Sequence, residues 1–100
     1  MVSGTFDELN KFIKKKGWDE LLPETSGRWH HEEGVRHYIF VKLEDKEKLT
    51  LWEESVLAHE VLHMTFSVLD RAGIIYCDES EEAFAYYFQF MFVECLKRLV

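Results

Sequence analysis

The sequence is short of the features that announce several protein classes. It has two cysteines, Cys77 and Cys95, with no C-x-x-C pair, so neither a disulfide scaffold nor a cysteine zinc knuckle is expected. One proline and five glycines in 100 residues exclude a collagen-like or low-complexity chain. Positive charge is also scarce: 12 Lys+Arg stand against 19 Asp+Glu, a net charge of -7 that disfavours nucleic acid as the main partner. The longest apolar run, from Ala83 to Val93, is interrupted by Gln89 and falls well short of the roughly 20 residues a membrane span needs, so no membrane partner is expected. The first residues, MVSGTFDELNKF, lack the parts of a signal peptide, which makes the cytoplasm the expected compartment. What is abundant is hydrophobic and aromatic residues, at 47% and 15%, enough for one folded domain over residues 1–100 with a single small core.

Local signals divide the chain. Thr5 to Lys16 carries Phe6, Leu9, Phe12 and Ile13 at helical spacing, and Gly17 follows as a C-terminal stop. Residues 18–27 read as a loop through LLPETSG. Arg28–Glu33 and Val35–Leu43 read as an antiparallel hairpin around Glu33-Gly34. In the second strand Val35, His37, Ile39, Val41 and Leu43 share the face expected to meet the core. The charged run EDKEK, 44–48, is expected to be a solvated loop.

Thr50 with Glu53 forms a capping-box pattern, which opens a long helix ending near Ala72 before Gly73. Along one stripe that helix carries Trp52, Val56, His59, His63 and Phe66. Asp78 with Glu81 repeats the cap signal, so a second long helix is expected over Glu79–Leu99, ending in Lys97 and Arg98. Its aromatic residues surround more than one side: Tyr87, Phe90 and Met91 are expected in the core, and the excess is available to a second copy of the chain or to a substrate groove. The fold class read from these elements is α+β, with a short N-terminal helix, a small antiparallel sheet and two long packed helices.

Within the first long helix, His59-Glu60-Val61-Leu62-His63 matches H-E-x-x-H. Histidines at i and i+4 leave one helix face a turn apart, so both imidazoles can reach one Zn²⁺. Glu60 sits beside them, placed to take a proton from water and pass it to a leaving amine. A catalytic zinc needs a third protein ligand, and the candidates are Glu79, Glu81 and Glu82 at the start of the second long helix. Glu82 is the preferred one, since it shares a face with Ala85, Tyr86 and Gln89, Glu81 can serve the cap, and small Ala83 and Ala85 allow a close helix approach. Tyr86, one turn on, is the leading oxyanion stabiliser, with Tyr76, Tyr38, His37, His30 and His31 behind it. Asp70 could orient a histidine, and Cys77 is expected simply to pack.

HEVLH and the following E-x-x-E-A-like segment resemble zinc metallopeptidases of the gluzincin type over Thr50–Leu99, with Glu82 nineteen residues after His63. The chain also looks like the minimal HExxH zincins of bacteria and their phages. The resemblance implies a compact zincin-like fold with an active-site helix and a glutamate helix, a Zn²⁺ held by His59, His63 and Glu82, and hydrolysis of a peptide or protein substrate. Phe66 and Leu69 stand where the metzincin extension requires glycine and histidine, which excludes that branch. The alternative function is a non-catalytic zincin-like module that binds protein.

Overall fold

A computed structural model describes residues 2–32, 36–45 and 47–99. Its elements are β1 (Val2–Gly4), α1 (Phe6–Lys15), β2 (Gly27–Glu32), β3 (Arg36–Lys42), α2 (Leu51–Arg71), a 3-10 turn (Asp78–Ser80) and α3 (Glu81–Leu99). The α+β class stands. The sheet differs from the antiparallel hairpin expected: it is mixed, ordered β1-β3-β2, with β1 parallel and β2 antiparallel to β3. β1 escaped the pattern reading because three residues cannot show a period. The expected Glu33-Gly34 turn and Val35 lie outside the described residues.

Local chemistry sets the helix ends. Thr5 with Glu8, and Thr50 with Glu53, form reciprocal capping boxes. At the other ends Gly17 and Gly73 adopt φ of 74° and 81°, conformations that suit a residue without Cβ. Trp18 N–H then closes onto the Ile13 carbonyl, and Ile74 N–H onto that of Leu69, giving each helix a Schellman-type stop. The start of α3 is two residues later than expected, because the Ser80 hydroxyl accepts from Cys77 N–H at 2.9 Å and donates to the Ile75 carbonyl at 2.6 Å. That interlock holds Asp78–Ser80 as a separate turn.

Both faces of the sheet are covered. Ile39, Val41 and Leu43 meet Val56, Leu57, Val61 and Met64 of α2, with Cys95 of α3 closing the same core. The opposite residues of β3, Tyr38 and Phe40, are also buried, against Leu9 and Ile13 of α1 and Leu21. One face was expected to meet the core; the strand in fact serves two. Asn10 ties the loop to α1, donating to the Leu21 carbonyl and accepting from its N–H. Arg28 lies over the Phe40 ring and donates to the Asp19 carbonyl at 2.6 Å.

On α3, Phe84 and Cys95 are buried while Tyr86 is 67% and Phe90 63% exposed. Phe90 therefore leaves the core position expected for it, whereas Tyr87 and Met91 are half-buried. Among the described residues no helix is long and apolar enough to cross a membrane.

Candidate metal and acid–base site

The H-E-x-x-H turn lies at the middle of α2, where the helix crosses β2. The capping box fixes the start of α2, and Val56, Leu57, Val61 and Met64 press it onto the sheet. His59 and His63 sit at the exposed margin of this contact, with Glu60 turned inward. The stripe expected from Trp52 to Phe66 thus runs beside the buried face, with only Val56 among the core residues.

The two imidazoles converge, with Nε2 of His59 and Nε2 of His63 3.2 Å apart. Two zinc–nitrogen bonds of about 2.0–2.1 Å at a tetrahedral angle hold their nitrogens about 3.3 Å apart, so the pair has the bite of a zinc chelate. The same spacing also suits a hydrogen bond between the rings. Among the described residues no three His, Cys, Asp or Glu side chains assemble into a group able to hold a metal ion.

Glu60 is only 7% exposed. Burial pushes its carboxyl above the ordinary carboxylate range, while His59, His63 and the Trp29 N–H draw it part of the way back. A carboxylate held in this way is suited to accept and return a proton nearer neutrality than a free one. A cleft of about 310 Å³ opens beside it, lined by Ser26, Gly27, Trp52, Ser55, Val56, His59 and Glu60. His59 and Glu60 thus line the same opening. Gly27 makes the close fit of β2 to α2 possible, since a Cβ there would lie 2.5 Å from Val56 Cγ1.

Glu82 and Tyr86 are not drawn to this cluster. Glu82 is exposed in the first turn of α3, and Glu81 instead lines the groove between α2 and α3 with Leu62, Phe66, Tyr76, Phe84, Ala85 and Phe88. Tyr86 lines neither cleft. Glu79 is exposed before α3 begins. Tyr76 packs against Phe66 and Phe84, and Tyr38 donates to Glu32 on the α1 side. Asp70 is exposed and makes no hydrogen bond to a histidine among the described residues. Exposed Cys77 joins the Ser80 interlock.

Sequence reasoning did not single out Trp29 or Arg71. Trp29 stacks on His63 at 6.3 Å between ring centroids and donates through Nε1 to Nδ1 of His37 at 3.1 Å. His37 pairs directly with His31 across β2 and β3, and Arg71 reaches His31 Nδ1 at 3.0 Å. The alternation W-H-H on β2 already places Trp29 and His31 on one face; the strand register supplies His37. His30 points to the other face, its ring tilted by 31° against Trp18 at 3.8 Å between centroids. No protein-family model matches the chain, and no curated protein or solved structure matches it either.

Proposed function

We propose that the chain is a minimal zincin-like, gluzincin-type peptidase that uses Zn²⁺ to hydrolyse peptide bonds. The observation that carries this reading is the 3.2 Å approach of the His59 and His63 Nε2 atoms beside the buried Glu60 carboxyl. His59 and His63 would hold the ion, which when bound supplies Lewis acidity to a carbonyl and acidifies water. Glu60, desolvated and within the open cleft, takes a proton from the attacking water and returns it to the leaving amine. Trp29 lies nearly parallel to the His63 ring, and its backbone N–H steadies the Glu60 carboxylate. Glu82 is the proposed third ligand, and it would have to be brought in from the exposed first turn of α3.

A second reading, the non-catalytic protein-binding module, is favoured by the apolar outer stripe of α3, Tyr86, Phe90 and Val93, which faces solvent. Elemental analysis of the purified wild type, His63→Ala and Glu82→Ala separates the parts. One zinc per chain, lost in His63→Ala, supports the site; loss in Glu82→Ala as well supports the third ligand, and retention there removes Glu82 from it. Glu60→Gln should keep its zinc and lose about 10²–10⁴-fold of peptide hydrolysis. Hydrolysis that survives this change with zinc retained rules out Glu60 as the base, and zinc without hydrolysis in the wild type selects the module.

A further inference from the structure

The outer side of α3 carries a row of exposed residues that line neither the cleft beside Glu60 nor the groove between α2 and α3. Glu82, Tyr86, Phe90, Val93 and Lys97 recur at steps of four, four, three and four, so they lie within about 80° of one another around the helix. Phe84, Phe88 and Cys95 take the opposite side, toward the core. From their fractional exposure, Tyr86, Phe90 and Val93 together leave roughly 300–400 Å² of mostly apolar surface in water.

The row is complementary to itself. A two-fold axis crossing it midway between Gln89 and Phe90 sets Tyr86 opposite Val93 of a second copy, and Glu82 opposite Lys97 of that copy. Both acid–base contacts then form at once, one at each end of the apolar patch. A parallel pair would instead set Glu82 on Glu82 and Lys97 on Lys97. The rest of α3 favours the same sense, since its first turn carries Glu81 and Glu82 and its last carries Lys97 and Arg98, and antiparallel helix dipoles attract. Lys97 meets Glu94 at 3.2 Å while its side chain stays 67% exposed, which leaves ammonium N–H groups open to a further carboxylate.

We propose that α3 pairs antiparallel with α3 of a second copy about this axis, with Tyr86, Phe90 and Val93 at the centre and a Glu82–Lys97 ion pair at each end. With Gln89 and the stems of Glu82 and Lys97 included, the contact buries about 1,000–1,200 Å² in total, the lower end for a specific interface, so a dimer of micromolar strength is expected. The pairing does not rest on the zinc reading and takes no residue from the cleft beside Glu60.

The test is sedimentation equilibrium of the full chain in low salt with a chelator present. Wild type should dimerise. Glu82→Lys and Lys97→Glu each make both end contacts repulsive and should weaken the dimer at least about ten-fold. An equimolar mixture of these two variants should regain wild-type association, because each end then joins a lysine to a glutamate; the chain carrying both changes should do the same. Phe90→Glu should abolish association. A wild type that stays monomeric up to about 1 mM overturns the proposal, as does a dimer that Phe90→Glu leaves intact or a mixture no more associated than its components. If either single variant does not fold, Phe90→Glu and the double variant decide. Glu82 is also the proposed third metal ligand, whereas Lys97→Glu leaves every proposed ligand in place. Metal content is read on separate zinc-loaded samples, so failure of the zinc reading and failure of the pairing are distinguishable.

Discussion

Replacing Gly27 by alanine is a direct test of how the site is held. The added Cβ would sit 2.5 Å from Val56 Cγ1 and 2.8 Å from the Phe40 carbonyl oxygen. Neither neighbour can yield easily. Valine in a helix has one strongly preferred rotamer, and the Phe40 carbonyl belongs to the central strand. Carbon atoms rest at about 3.5–4.0 Å, so relief requires α2 to move from β2 by roughly 1 Å. Overpacking of this kind costs about 1–3 kcal/mol. At about 4–8 °C per kcal/mol for a domain of this size, the expected fall in Tm is on the order of 10 °C. The same displacement draws Glu60 from the Trp29 N–H, so on the proposed zinc-peptidase reading metal uptake and hydrolysis should fall with Tm. Calorimetric melting of wild type and Gly27→Ala, with metal content measured on both, is the assay. A Tm within about 2 °C of wild type would refute the argument that strand and helix are in unyielding contact.

Three further outcomes are expected. Thr50→Ala removes one donor–acceptor pair of the α2 cap and should cost about 1 kcal/mol. Glu53→Ala should cost more in chemical denaturation, because it leaves the N–H groups of both Thr50 and Glu44 without their 2.9 Å acceptor; equal losses would contradict this. The His37 imidazole is pushed below its ordinary 6.5 by burial first and then by His31 and Arg71. The unfolded chain therefore takes up that proton before the folded one. Its contribution is intact above pH 6.5 and drains away as pH falls from there toward the lowered folded value. Melts between pH 7.5 and 5.5 should show a steeper acid-side loss in wild type than in His37→Gln, and parallel curves would disprove the assignment; His30 acts with the same sign. Finally, if the α3 stripe receives a second copy, wild type should sediment faster as concentration rises, and Phe90→Glu should abolish this without changing Tm by more than a degree or two. Concentration-independent sedimentation of the wild type would exclude that partner.

The parts of the fold legible in the sequence are those written in local chemistry. Thr5, Thr50, Gly17 and Gly73 mark helix ends by the hydrogen bonds they make within a few residues, and these positions were read without the fold. β1 was illegible because its pairing, Val2 with Phe40, is a long-range contact carried by three residues. For β3, the run VRHYIFVKL is apolar on both of its faces, the mark of a strand covered twice, although alternation alone directed attention to one set. H-E-x-x-H was legible as a motif because its spacing is local. The Trp29, His31, His37 and Arg71 cluster was not, because it depends on strand register. The phase of α3 failed for a different reason: a helix with apolar residues on more than one side gives periodicity little to select, and it is Glu81, rather than Glu82, that lines the inter-helix groove.

The two cores sharing β3 also bear on how the chain finds its native register. In a sheet wet on one side, a slip of one residue exposes the whole apolar set and is strongly penalised. Here such a slip would exchange Tyr38 and Phe40 for Ile39 and Val41, hydrophobic for hydrophobic, so burial alone discriminates weakly between pairings. Discrimination falls instead to shape and polar matching: Gly27 must lie opposite Val41, where the helix leaves no room for a side chain, and His31 opposite His37, where Trp29 and Arg71 complete their bonds. The residues that assemble the site are thus also the ones that make the native alignment of the strands unique.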